Sequence, residues 1–190
     1  MKKEIQRDEA WLILNKYIKK QELIFHARES EEIMKALAKY LKENETFWGI
    51  CGLLHDIDYQ EIGDNLKNHG PRSIEILRQE GFDLPEMFQA ILSHVEFTGH
   101  LPQKRTSKLD FALSASENIS GFIVAVALMR PEKFKGLKTK SIKKKLKDKR
   151  FAAKVNREAI YDIEKINLSL DKFIELAIEA VSSLQKEIGF

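Results

Sequence analysis

The apolar pair Leu53-Leu54 runs into His55-Asp56, and Ile57-Asp58-Tyr59 follows. A neutral imidazole coordinates a metal through a ring nitrogen, and a neighbouring carboxylate supplies charge to offset the cation. His26, His69 and His94 flank this pair in sequence, and Glu117 adds a further acid. His26, His55, Asp56 and Glu117 would offer two nitrogen and two carboxylate donors, leaving a six-coordinate ion two positions for water or substrate. His69 and His94 would serve a second ion, with Asp56 bridging the pair. Two ions roughly 3.5–4 Å apart can stabilise both the attacking and the leaving oxygen of a phosphoryl transfer. The donor set suits manganese, iron, cobalt, nickel, zinc or magnesium and does not choose among them.

Each residue also has a plainer reading. A single histidine on an apolar face is more often a hydrogen-bonded core residue than a ligand, and histidine and aspartate are both common at helix ends. Glu117 could form a salt bridge across the core, although an unpaired buried carboxylate would be costly. The case is joint: two histidines and one acid fall on apolar faces of different expected helices, beside Asp56.

These groups need a frame, and the apolar spacing is mostly helical. It predicts helices over residues 7–20 and 26–42, with 21–25 a break or a continuation. Ile33, Leu37 and Leu41 mark the inner face of the second. Asn44-Glu45-Thr46 reads as a turn in which Thr46 caps a short helix over 47–55. Trp48, Cys51, Gly52 and His55 share one face of it, and Gly49 and Gly52 leave room for a close neighbour. Residues 58–67 read as a loop. Pro71 suits a first helical turn, giving a helix to about residue 80 that stops at Gly81. Another starts at Leu84-Pro85-Glu86, with Met87, Ala90, Ile91 and His94 on one face. The longest helix is expected over 107–129, apolar almost all round from Ile119 and ended by Pro131. Glu117 shares a face of it with Leu113, Gly121 and Val124. Beyond it, 132–140 reads as irregular, and helices are expected over 141–147, 151–166 and 170–188.

Strand-like alternation is nearly absent, so the expected fold class is all-α, with residues 1–190 as one domain. Hydrophobic residues make up 43% and charged residues 32%, which excludes a disordered chain. No continuous apolar run approaches the ~20 residues of a membrane span. Residues 1–9 are charged and lack a signal-peptide core, and Cys51 is the only cysteine. A reducing, cytoplasmic setting with no membrane partner is therefore expected.

The His-Asp pair and its companions resemble the HD-domain superfamily of metal-dependent phosphohydrolases. The pair stands in Gly52-Leu53-Leu54-His55-Asp56-Ile57-Asp58, and the earlier family histidine matches His26. The following histidines match His69 in Asn68-His69-Gly70 and His94 in Ala90-Ile91-Leu92-Ser93-His94. The final family ligand, an aspartate, falls at Glu117 in Ala115-Ser116-Glu117-Asn118-Ile119-Ser120-Gly121. The resemblance spans about residues 26–129 and implies a single-domain helical bundle. It also implies a phosphohydrolase of nucleotides or other small phosphate esters, using one or two divalent metals and activated water. Glu117 departs from it by one methylene: it either coordinates directly, from a helix set slightly back, or reaches the metal through a water. In the second case the resemblance implies a non-catalytic metal- or nucleotide-binding protein.

Under this resemblance His55 and Asp56 belong to the catalytic centre. Asp58 is read as orienting water or, more simply, as a solvated acid. Arg72 lies in a first helical turn, where a cation opposes the helix dipole unless phosphate binds there; a plain surface role is the alternative. Residues 133–150 hold ten Lys/Arg against one acid, Asp148, which is +9 in a chain whose net charge is +3. That stretch is a solvated face, a rim attracting phosphorylated substrates, or a non-specific nucleic-acid contact. For the rim, Lys133, Lys140, Lys144 and Arg157 are the residues with reach. Against nucleic acid, only Phe134 and Phe151 could stack with bases. A homo-oligomer is compatible with all of these readings.

Overall fold

The structure is a computed structural model describing residues 1–63 and 65–187. Among the described residues ten α-helices carry the fold: α1 Arg7–Tyr17, α2 Gln21–Leu41, α3 Glu45–Leu54, α4 Tyr59–Ile62, α5 Pro71–Gln79, α6 Pro85–His94, α7 Lys108–Leu128, α8 Thr139–Leu146, α9 Arg157–Tyr161 and α10 Leu170–Ser183. Short 3-10 turns cover Leu66–Asn68, Glu96–Thr98 and Asp162–Ile166. Among the described residues there is no strand, only an isolated bridge between Lys2 and Phe82. The chain is a single all-α domain, as its periodicity predicts.

Helix α7 runs through the centre and packs against α2, α3, α6, α8, α9 and α10. Its length and apolarity would suffice for a membrane span, but 67% of its apolar window is buried inside the protein. It is therefore the core helix of this bundle, and polar residues such as Asp110 and Ser114 interrupt its apolar run. The inner face of α2 (Ile33, Met34, Leu37 and Ala38) is fully buried. Helices α2 and α3 come into backbone contact at Gly52, where an added Cβ would stand 2.7 Å from the Ser30 carbonyl oxygen. This contact fixes the distance between His26 on α2 and His55 at the end of α3.

Several boundaries differ from the periodic reading. Helix α2 begins at Gln21, so His26 lies inside it rather than at its start. Asn44, not Thr46, caps α3, its side chain accepting from the Phe47 N–H at 2.9 Å. The stretch expected as loop after Asp58 contains α4 and a 3-10 turn. The helix expected over 151–166 is broken: 151–156 is a turn, Ala152 has a left-handed φ of 45°, and only α9 and a 3-10 turn follow. The cause is Arg157, which donates to the main-chain carbonyls of Leu146, Asp148, Phe151, Ala152 and Val155. A guanidinium satisfying those carbonyls takes the place of helical N–H donors. The expected end of the last helix, residue 188, lies outside the described residues.

Candidate metal centre

Four elements converge on Asp56. Helix α2 brings His26, the end of α3 brings His55, the turn before α5 brings His69, and the last residue of α6 is His94. The Nε2 atoms of His55, His69 and His94 lie 3.3, 3.4 and 3.3 Å from Asp56 Oδ1, and His26 Nε2 lies 3.7 Å from Asp56 Oδ2. Donor atoms of His26, His55 and Asp56 form one compact group, and those of Asp56, His69 and His94 form a second. Asp56 is common to both groups.

The ring orientations follow from what their Nδ1 atoms face. His55 Nδ1 donates to the Gly52 carbonyl at 2.8 Å and His94 Nδ1 to the Ile91 carbonyl at 2.5 Å. His69 Nδ1 donates to Asp58 Oδ1 at 2.9 Å. His26 Nδ1 meets Ser120 Oγ at 3.2 Å, and that hydroxyl donates onward to the Glu117 carbonyl. Acceptors opposite all four Nδ1 atoms place the hydrogens there and leave Nε2 as the lone-pair atom. His26 and His55 then direct two lone pairs at each other across 3.2 Å. Asp56 Oδ1 is buried and has no hydrogen-bond partner. Such an arrangement of lone pairs is stable only around positive charge. Without a metal, that charge would have to be protons on the rings. Burial, with His55 beside it, pushes His26 down to about 4, and burial likewise lowers His55. For His69, burial works downward but the Asp58 hydrogen bond and the Asp56 charge outweigh it, and its pKa stands above the ordinary value. A divalent cation fits this donor set better than protons do, and His26, His55, Asp56, His69 and His94 are the residues that would hold it.

Asp58 is a correction to the sequence reading. It is fully buried, so it is not solvated, and its oxygens accept from His69 Nδ1, the Gly70 N–H at 2.8 Å and the Ser73 N–H at 3.2 Å. These partners occupy it, so it orients His69 and the start of α5 rather than a water. Gly70, with φ of 88°, allows the chain to turn between them.

Glu117 lines the same cavity but stands outside both compact donor groups, and its Oε1 accepts from the Asn118 side chain. Burial, then Asp56, push its carboxyl well above the usual range, while Arg105 pulls the other way. The cavity encloses about 670 Å³, within the range of small-molecule sites. None of the cations proposed from sequence lines it. Arg72 pairs with Glu61 and Glu75 on the surface, and Arg157 is spent on carbonyls. Lys133 lies in the loop before α8, where its carbonyl accepts from Arg130, and Lys140 and Lys144 are exposed on α8. The cation on the wall is instead Lys154, in the turn that Arg157 shapes. No periodicity marks Lys154, because that turn is irregular.

The fold and this site define a helical protein built around a histidine–aspartate cluster whose donors could hold a metal ion. The HD domain family model matches residues 23–127, more than half the chain, and the protein belongs to that family. No curated protein and no solved structure matches it. HD-domain proteins are in general metal-dependent phosphohydrolases.

Proposed function

We propose that the protein is a metal-dependent phosphohydrolase of small phosphate esters, nucleotides among them, with water as the nucleophile. The observation that carries this reading is the buried, unpartnered Asp56 Oδ1 among three Nε2 atoms at 3.3–3.4 Å. A divalent ion held there supplies Lewis acidity and lowers the pKa of water. Asp58 keeps the His69 ring turned toward the centre, and Ser120 does the same for His26. His55, His69 and His94 are buried, while the side chains of His26 and Asp56 keep some exposure to the cavity.

A non-catalytic metal-binding HD protein is the second reading, favoured by the place of Glu117 outside the compact donor groups. Mass-spectrometric metal analysis of fresh protein, with a phosphatase screen in added manganese, separates the two. The first reading expects at least one equivalent of metal and turnover of a phosphate ester, both lost in Asp56→Ala while helical circular dichroism persists. Metal without turnover, restored by Glu117→Asp, supports the second. A wild type that stays metal-free when supplied with metal would sink both.

A further inference from the structure

The residues that gather the metal share a companion. Three positions from each of His26, Asp56, His69 and His94 stands a large apolar side chain: Leu23, Tyr59, Leu66 and Phe97 respectively. All four companions line the same cavity as the metal residues. A separation of three brings side chains to the same side of a helical or 3-10 turn. Leu23 with His26 lies in α2, and the other three pairs span the turns around the site. The metal residues lie lower, with His69 6% and His94 2% exposed and the side chains of Asp56 and His26 19% and 24% exposed, whereas Phe97, Leu66 and Tyr59 are 58%, 41% and 37% exposed. The cavity therefore has a polar floor and an apolar mouth. Tyr59 is braced edge-on against His69, ring centroids 5.3 Å apart. Large apolar groups exposed together around a concave site mark ligand contact.

The charge of the wall narrows the ligand further. Among the described residues lining the cavity, Lys154 is the only lysine or arginine, and it forms no hydrogen bond or ion pair with the described residues. Beyond a bound divalent ion, this wall offers phosphate a single lysine: a monoester, at about −1.5 to −2, asks less of it than a polyphosphate chain does.

The geometry points to a phosphate monoester with an apolar, ring-bearing organic part as the ligand. The phosphate goes to the metal residues, with the exposed Lys154 of the wall adding positive charge, and the ring lies between Phe97, Leu66 and Tyr59. This assignment rests on the phosphohydrolase reading for its phosphate end, but the mouth can be tested without turnover.

Phosphonates, whose C–P bond is not hydrolysed, serve as probes. Calorimetric titration of manganese-loaded protein would compare 2-phenylethylphosphonate with ethylphosphonate, which differ by the ring alone. The ring should tighten binding about 10-fold or more, the scale expected for burying an aromatic group. Phe97→Ala and Leu66→Ala should bring that ratio toward one, and Lys154→Gln should weaken both probes in parallel with the ratio kept. A wild-type ratio near one, or a ratio indifferent to both rim variants, overturns the assignment of the mouth. Unchanged binding in Lys154→Gln overturns the assignment of the cation. Hydrolysis is read separately on 2-phenylethyl phosphate and ethyl phosphate, whose leaving alcohols are of nearly equal acidity. If neither ester is turned over but the phosphonate ratio holds, the phosphohydrolase reading fails and the ligand class stands.

Discussion

Asp58 illustrates how much a single carboxylate can decide. Two residues past Asp56, it accepts three N–H groups in a buried site, and one belongs to His69. Asp58→Asn keeps the shape but turns one acceptor into a donor facing an N–H. We expect a loss of about 1–3 kcal/mol in urea unfolding and a 10–100-fold weaker manganese affinity by titration; unchanged affinity would show that His69 does not need this brace. Glu29 is another buried acid, one helical turn beyond His26. Burial raises its carboxyl to about 7, with the nearby Ser120 hydroxyl opposing. Because the folded protein holds that proton more tightly than the unfolded chain, the stability it contributes is full below about pH 4.5. It drains away as pH rises toward 7. Glu29→Gln should therefore exceed the wild type by up to about 3 kcal/mol at pH 8 and match it near pH 4. Urea titrations at the two pH values would reveal the crossover, and a gap independent of pH would rule out this titration.

At the scale of elements, the contact between α2 and α3 sets the site. His26 and His55 approach to 3.2 Å because Gly52 lets the Ser30 backbone close in. A methyl group there meets main chain, which cannot rotate away, so the helices must part. Gly52→Ala should destabilise by about 1–3 kcal/mol and weaken metal binding more than Gly121→Ala, whose Cβ would meet nothing within 4 Å. Thermal melts and manganese titrations of both variants test this. Equal affinity in the two would mean that helix separation does not govern the site. Helix α7 illustrates the opposite regime: an apolar stretch ended by Pro131 was readable directly, since burial on nearly all sides leaves a strong local signal.

For the whole molecule, ligands drawn from α2, α3, α6 and the turn before α5 mean that a bound ion ties together elements distant in sequence. Metal binding only to the folded state should raise stability by about 2.7 kcal/mol at 100 times its dissociation constant. A melt with manganese against one with chelator should show the shift in the wild type and none in Asp56→Ala; equal shifts would place the ion elsewhere. Much of this was legible in the chain alone. The all-α class and the central helix follow from apolar periodicity, which also puts His55, His94 and Glu117 on apolar faces; His26 and His69 are assigned through the resemblance to the HD family, and Glu117 falls outside the donor groups that the other residues form. What only the tertiary structure decided were the roles set by contacts between distant segments. Asp58 is buried because α5 closes over it, Arg157 is consumed by carbonyls, and Lys154 reaches the cavity through an irregular turn. Local pattern reports which face a side chain takes on its own helix, but the partner waiting across the gap belongs to another part of the chain.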